Sequence, residues 1–245
     1  MMLSKRLQTV ADMIPASDAF ADIGCDHGYL PIYLVHSGKA GRAIAMDLRK
    51  GPLDRARAHV EEYGLKDKIE LRLSDGADAL SVKDGVDTIA VTGMGGRLLL
   101  RIMERGHAVF RAARDIFVSP QSDIPLVRSK ITGDGFTIVD ETMVEDAGKY
   151  YVILHLQPVL EGSRELPMPL SDLEILYGAC IHTKKDPVLY EFLKKEQKQT
   201  RKILNSLTDT NTKAAQAACE QAERKLGMIE RALEAQEIME DANGR

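Results

Sequence analysis

Ala21 to Pro31 reads Ala-Asp-Ile-Gly-Cys-Asp-His-Gly-Tyr-Leu-Pro, and the fold turns on this stretch. Ala19 to Ile23 supplies small or apolar residues in strand-like alternation, and Tyr29 to Val35 carries apolar residues at helical spacing. Between them Gly24 and Gly28 permit backbone angles and close approaches that a Cβ would block. A strand, a tight turn and a helix N-terminus therefore follow one another. The helix end offers unpaired N–H groups and a partial positive charge, which suits a ligand with carboxylate or other acceptor atoms.

Two-glycine turns also occur in α/β proteins that bind nothing there. Two details favour a ligand and define its charge. The middle glycine of the dinucleotide fingerprint is absent, and Asp26 stands where a pyrophosphate demands bare backbone. A carboxylate there repels pyrophosphate and attracts an ammonium or sulfonium group, and S-adenosylmethionine carries both.

Moving outward, Arg42 to Asp47 is a second apolar strand that ends in a carboxylate 19 residues beyond Gly28. That is about the separation at which dinucleotide-type folds place an acid on ribose hydroxyls; a solvent-facing helix cap is the alternative, since Gly51-Pro52 and a helix over Leu53 to Tyr63 follow. Ile69 to Leu73 alternates as a third strand and runs into Ser74-Asp75-Gly76-Ala77. Asp75 is read either as an acceptor for an adenine amino group, with Gly76 and Ala77 offering N–H groups, or as an ordinary Asx turn. Val86 to Val91, a fourth strand buried on both faces, leads into Thr92-Gly93-Met94-Gly95-Gly96 and an apolar helix at Leu98 to Met103. Glycines packed this closely let a flat ring lie against the backbone. Asp115 to Ser119, a helix from Ile124 to Ile131, Phe136 to Glu141 and Tyr150 to Gln157 complete seven strands, the last two joined by a polar turn near Asp146-Ala147-Gly148. Alternating strands and helices predict a mostly parallel sheet closed by an antiparallel hairpin, the arrangement of class I methyltransferases.

The flanks bound the rest. Leu3 to Ile14 reads as a short amphipathic helix stopped by Pro15, with Lys5 and Arg6 turned outward as a solvated face or as phosphate contacts near the cofactor edge. No stretch is long enough to span a bilayer, and Met-Met-Leu-Ser-Lys-Arg lacks a signal-type apolar run. Cys25, Cys180 and Cys219 are widely spaced with no Cys-x-x-Cys, which argues against disulfides or a metal site and for a reducing cytoplasm. A formal charge of -4 gives no global sign of nucleic-acid binding, so any basic face is local.

Glu161 to Pro169 is a polar, proline-bearing linker, after which the chain changes character. Leu173 to Cys180 reads as a short helix. Val188, Leu189, Phe192, Leu193, Thr200, Ile203, Leu204 and Leu207 trace one apolar stripe; Ala214, Ala218, Leu226, Ile229, Leu233 and Ile238 trace another beyond a turn at Thr208 to Thr212. The expectation is an antiparallel coiled-coil arm. Between Lys184 and Lys202 stand seven Lys or Arg against three Asp or Glu. Such a run is either a solvated helix face or a track for nucleic-acid phosphates, and Lys194, Lys195, Lys198 and Lys202 are its candidate contacts.

The central stretch, the preceding Leu-Ser-Lys-Arg-Leu-Gln-Thr-Val-Ala and the Thr-Gly-Met-Gly-Gly run together resemble the TrmK family of bacterial tRNA (adenine-N1)-methyltransferases, which modify adenine 22 in the D-arm. The resemblance covers essentially the whole chain. It implies a Rossmann-like, S-adenosylmethionine-dependent domain over 1–160, a linker over 161–169 and a helical, tRNA-binding domain over 170–245. Carried over, Asp22, Gly24, Asp26, Gly28, Asp47, Leu48, Asp75, Gly76, Gly93, Met94 and Gly95 would line the cofactor site. The Asn/Asp-Pro-Pro-Tyr signature of amino-directed methyltransferases is replaced after the fourth strand, so the catalytic candidates are Asp26, His27 and Tyr29 on the other lip; for His27 a turn-holding role stands equally. Lys5 and Arg6 join the four arm lysines as RNA contacts. No metal, no membrane and a monomer or weak dimer are expected. A small-molecule methyltransferase and a non-catalytic cofactor-binding module with a protein-recruiting coiled coil remain the other readings.

Overall fold

A computed structural model describes residues 2–159, 169–180, 183–207 and 212–237. The chain divides into two compact units, Met1–Pro169 and Leu170–Arg245. The 161–169 linker, apart from Pro169, the turn at 208–212, apart from Thr212, and Ile238 lie outside the described residues.

The first unit is a Rossmann-like, seven-stranded mixed sheet flanked by helices. Its strands are β1 (Ser17–Ile23), β2 (Ala40–Asp47), β3 (Ile69–Leu73), β4 (Thr88–Met94), β5 (Asp115–Pro120), β6 (Phe136–Asp146) and β7 (Lys149–Pro158), in the order β3-β2-β1-β4-β5-β7-β6. β1 pairs in parallel with both β2 and β4, and β7 runs antiparallel to β5 and β6. Strand order reverses between β1 and β4, so a crevice opens outside their carboxyl ends. Ile23 is level with Met46 of β2 and Val91 of β4, which brings Gly24, Asp47 and Thr92 to one rim.

Helices α1 (Lys5–Met13), α2 (Tyr29–His36), α3 (Lys50–Glu62), α4 (Gly96–Arg105), α5 (His107–Ala112) and α6 (Ile124–Gly133) cover the sheet. Both faces are therefore dry, and β1, β2 and β5 read as nearly continuous buried runs. Ser4 caps α1 by accepting from the Leu7 N–H at 3.3 Å. Val10, Ala11 and Ile14 then enter the core with Phe20 and Leu34.

Several elements differ from the sequence reading: β4 runs to Met94 rather than Val91, and the short helix expected over Leu173 to Cys180 spans Asp172–Tyr177. β6 continues past Glu141 to Asp146, because its pairing with β7 persists to Asp146 opposite Lys149 and closes on Ala147 and Gly148, both at positive φ. Such a two-residue loop matches strand twist. α5 was not expected: it is six residues long and buries only Val109 and Phe110, too short for a periodic signal.

In the second unit, α7 (Asp172–Tyr177) precedes α8 (Pro187–Leu207) and α9 (Lys213–Glu237). Arg201 pairs with Glu230 at 2.9 Å, Lys225 with Glu196 at 2.5 Å, and Tyr190 Oη donates to Glu237 at 3.2 Å, so α8 and α9 run antiparallel. α9 turns Ala215, Ala222, Ile229, Ala232 and Leu233 inward rather than Ala214 and Ala218, which are exposed, and Ile203 of α8 is also exposed. Alanine on every side of that segment removes the contrast on which a helical period depends.

Candidate cofactor and active site

A cavity of about 490 Å³ occupies the crevice at the ends of β1, β2 and β4. Its geometry begins with the turn after β1. Gly24 has φ +81, and a Cβ there would collide with the Met94 side chain from the end of β4. Gly28, at φ +73, starts α2 and would set a Cβ 3.1 Å from Ala56 of α3, so it serves helix packing and does not line the cavity. Asp26 has φ +50, an unusual conformation for a residue with a Cβ but one Asp tolerates, and its side chain is exposed into the crevice.

The N–H groups of this turn are mostly spoken for. Gly24 and Cys25 both donate to Met46 O at 2.8 Å, Asp26 donates to Asp47 Oδ2 at 3.2 Å, and Gly28 donates to Cys25 O at 2.8 Å. The expectation of a backbone cradle for acceptor atoms is corrected accordingly at these four positions. The loop is stitched to β2, and what it presents is carboxylate.

Asp22, at the end of β1, is 3% exposed, and its Oδ1 has no hydrogen-bond partner. Burial, reinforced by the nearby charge of Asp47, pushes its carboxyl up to about 7, with Arg6 acting in the opposite sense. Burial and the same carboxylates also raise the Cys25 thiol far above its usual range, so that thiol stays protonated. Asp47 is buried too, but its oxygens accept from the backbone N–H groups of Asp26 and of Arg49, the latter at 2.8 Å. A carboxylate has about four acceptor sites, so Asp47 keeps capacity for ribose hydroxyls while fixing the turn.

The outer lip is aromatic. His27 and Tyr29 stack at 5.5 Å between centroids with planes 4° apart, and His59 of α3 stacks on Tyr29 at 5.0 Å while its Nδ1 lies 2.9 Å from His27 O. The His27 Nε2 to Asp26 Oδ2 distance is 3.6 Å, too long for a hydrogen bond. Leu48 and Leu98 stand exposed on the rim. Asp75 also reaches it, with its carboxylate held by Arg105 at 2.8 Å, so acceptance from an adenine amino group would share that oxygen pair with a guanidinium. Of the glycine run that ends β4 and opens α4, Gly93 faces the cavity; Gly95 precedes α4 without lining the cavity, and Gly96 is pressed against the Ser122 backbone and Val127.

The cavity thus gathers Asp22, Gly24, Asp26, His27, Tyr29, Asp47, Leu48, Asp75, Gly76, Gly93 and Met94, and leaves out Gly28 and Gly95. Arg6 is in its wall, whereas Lys5 is exposed outside it. Lys194, Lys195, Lys198 and Lys202 lie exposed on α8 in the other unit. Arg49, Leu98, Ile102 and Gln121 line the cavity without having been singled out in the sequence, as does the neighbouring Cys25. His59 was likewise missed. Their local pattern reports packing, and only the tertiary fold brings them here. Among the described residues no group of three or more His, Cys, Asp or Glu is arranged to hold a metal, and no helix is long and apolar enough to cross a membrane.

A Rossmann-like sheet with an acidic crevice at its switch point defines a methyltransferase domain, and the sequence model of the family described as "Methyltransferase domain" matches residues 3–154. A curated relative from Bacillus subtilis, tRNA (adenine(22)-N(1))-methyltransferase, is 33% identical over 84% of this chain and 86% of its own length. The chain belongs to that family. Similar solved structures include the B. subtilis m1A22 tRNA methyltransferase TrmK, with TM-score 0.78 and 28% identity over 95% of this chain and 99% of that one. TrmK from M. capricolum, in complex with the cofactor product S-adenosylhomocysteine, gives TM-score 0.78 and 27% identity over 96% and 99%.

Proposed function

We propose that the chain transfers a methyl group from S-adenosylmethionine to N1 of adenine 22 in tRNA. The observation that carries this is the Asp22 carboxylate, buried, orphaned at Oδ1 and in the wall of a cavity lined by two further acids, Asp26 and Asp47. A buried unpaired carboxylate is costly, and a cationic ligand relieves the cost. The cofactor fits this chemistry: its ammonium suits Asp22 and its ribose suits Asp47. When bound it supplies a methyl group activated on a sulfonium.

The residues of the chain then have limited work. Adenine N1 carries a lone pair, so no strong base is required to make the nucleophile; placement in line with the methyl and exclusion of water supply the rate. Alkylation leaves a cationic ring, and Asp26, exposed at the cavity mouth, is suited to accept from the exocyclic amino group and stabilise that charge. Tyr29 and His27 offer a stacked aromatic surface for the base. An adenine inside a folded tRNA must leave its stack to enter such a pocket.

The helical unit supports the RNA role. Lys198 and Lys202 are exposed on α8 with no ion-pair partner among the described residues, and Lys194 stands 4.0 Å from Glu237. The seven-residue spacing of Ala215, Ala222, Ile229 and Gln236 suits a short coiled coil that presents Lys194, Lys195, Lys198 and Lys202 to RNA phosphates. Free cysteines at 25, 180 and 219 accord with a reducing, cytoplasmic setting. The test is incubation of the chain with labelled S-adenosylmethionine and unmodified tRNA transcripts, followed by nucleoside mass spectrometry. 1-Methyladenosine is the expected product; labelled cofactor bound with no label in RNA would overturn the reading.

A further inference from the structure

A base that leaves its stack to be methylated strands its neighbour, and the inference made here, which rests on the tRNA reading above, concerns where that neighbour goes. Three rings stand together on the outer lip: His27 and Tyr29, which line the cavity, and His59, which does not. Their centroids are 5.5 Å apart for His27 and Tyr29, 5.0 Å for Tyr29 and His59 and 6.1 Å for His27 and His59, with planes within 26° of parallel. Those distances close a triangle. The rings therefore do not pile into one column but spread as a patch wider than one ring, which begins at the cavity and continues beyond it onto α3. His27 and Tyr29 are enough for the adenine that is methylated, and His59 is left over.

The packing of α3 does not call for a ring at this position. Ala56 and Val60 supply the buried face of that turn, and His59 is half-buried. Its Nδ1 lies 2.9 Å from His27 O; a carbonyl only accepts, so Nδ1 carries the proton, and the bond fixes both the tautomer and the orientation of the ring beside Tyr29. A ring already held in place loses little entropy when a second flat ring settles on it. The surroundings are cationic. Arg55 lies one turn before His59 on the same helix face, exposed and with no ion-pair partner among the described residues, and the Arg49 side chain at the start of α3 is 73% exposed. Aromatic faces for bases beside cations for phosphates are the means by which proteins hold unpaired nucleotides.

We infer that His59 is the stacking surface for the nucleotide next to the target adenine, with Arg55 placed for its phosphate. The chain then reads two unstacked nucleotides, one inside the cavity and one on α3. A target adenine whose neighbour cannot leave its own stack is a poor substrate, which makes α3 part of substrate selection.

The experiment measures kcat/KM on an intact tRNA transcript and on two that carry an abasic nucleotide, one on the 5′ side and one on the 3′ side of adenine 22. With the unsubstituted chain, one of the two abasic transcripts should lose about 5- to 100-fold. His59→Ala should lose a similar factor on the intact transcript and less than about twofold more on that abasic one, where the stack is already gone. His59→Phe, which keeps a ring face and lacks the bond to His27 O, should retain most of the activity on the intact transcript. Calorimetric affinity for S-adenosylhomocysteine should stay within about twofold in both variants, since His59 lies outside the cavity. Losses for His59→Ala that are equal on intact and abasic transcripts, or His59→Phe as impaired as His59→Ala, would show that His59 only holds the turn and would overturn the inference. Abasic transcripts methylated as well as the intact one would overturn it too. If the unsubstituted chain binds S-adenosylhomocysteine but methylates no tRNA, the tRNA reading itself fails and takes this inference with it.

Discussion

In the cavity wall a carboxylate and a guanidinium are each buried with an unpartnered atom, whereas along α8 and α9 several charged groups are exposed and paired across the helices. Asp22 Oδ1 and Arg6 Nη1 have no hydrogen-bond partner, while Glu230, Glu196 and Glu237 each meet a cation of the facing or neighbouring helix. Surface pairs of that kind contribute little to stability and are readily exchanged for RNA phosphates. Buried orphans cost the free protein stability, and protonation or a ligand relieves them. The two units therefore carry charge differently: one buries a carboxylate and a guanidinium with an unpartnered atom each, and the other sets its lysines on an exposed helix face.

The difference is broken most sharply at Asp22. Asp22→Asn should weaken S-adenosylhomocysteine binding by about 100-fold in calorimetry, since it removes the buried partner of the ammonium. The same change should raise the melting temperature of the free protein more at pH 8 than at pH 5. The sign follows from the carboxyl being raised from 3.8 to about 7 in the fold, by burial first and by Asp47 and Asp26 after it, with Arg6 acting in the opposite sense. The folded chain then binds more protons than the unfolded one between those values, so this group lowers stability as pH rises through that window. In the unsubstituted chain, cofactor affinity should rise between pH 5.5 and 7.5, roughly following deprotonation of Asp22, and Asp22→Asn should flatten that rise.

Asp26 sharpens the contrast within the cavity. Asp26→Asn tolerates the left-handed backbone there, so turnover should fall by about 10- to 100-fold with cofactor affinity nearly unchanged. Equal loss of both in steady-state and binding assays would make Asp26 a cofactor residue alone.

On the helical unit the effects are smaller. Lys198→Ala with Lys202→Ala should weaken tRNA binding several-fold and reduce the slope of log affinity against log salt by about 2, read by filter binding over a salt series. An unchanged slope would leave α8 with no role in phosphate tracking. Smallest of all, Arg201→Ala should shift the stability measured by urea unfolding by less than about 1 kcal/mol, because its pair with Glu230 is solvent-exposed on both sides.

Much of the first unit was legible because its signals are local. The β1 strand, Gly24, Asp26 and the start of α2 form one continuous stretch, and Asp47 and Gly93 close the next strands around it. The extent of pairing was not: β6 extends five residues further because β7 continues opposite it. Arg6 belonged, by pattern, to the outer face of an amphipathic helix; what turns it inward is the Asp146 carboxylate and the Tyr151 ring, both some 140 residues away in sequence. His59 gives no sequence signal, since its neighbours Ala56 and Val60 already explain the helix face. In α9 the abundance of alanine hid which face is inner.

The most direct test of the account is methylation of two tRNA transcripts that differ only at position 22, one with adenine and one with guanine, using labelled S-adenosylmethionine. The account predicts 1-methyladenosine in the first, mapped to that position by nuclease digestion and mass spectrometry, and no label in the second. Equal labelling of both transcripts, or label at another nucleoside, would contradict it.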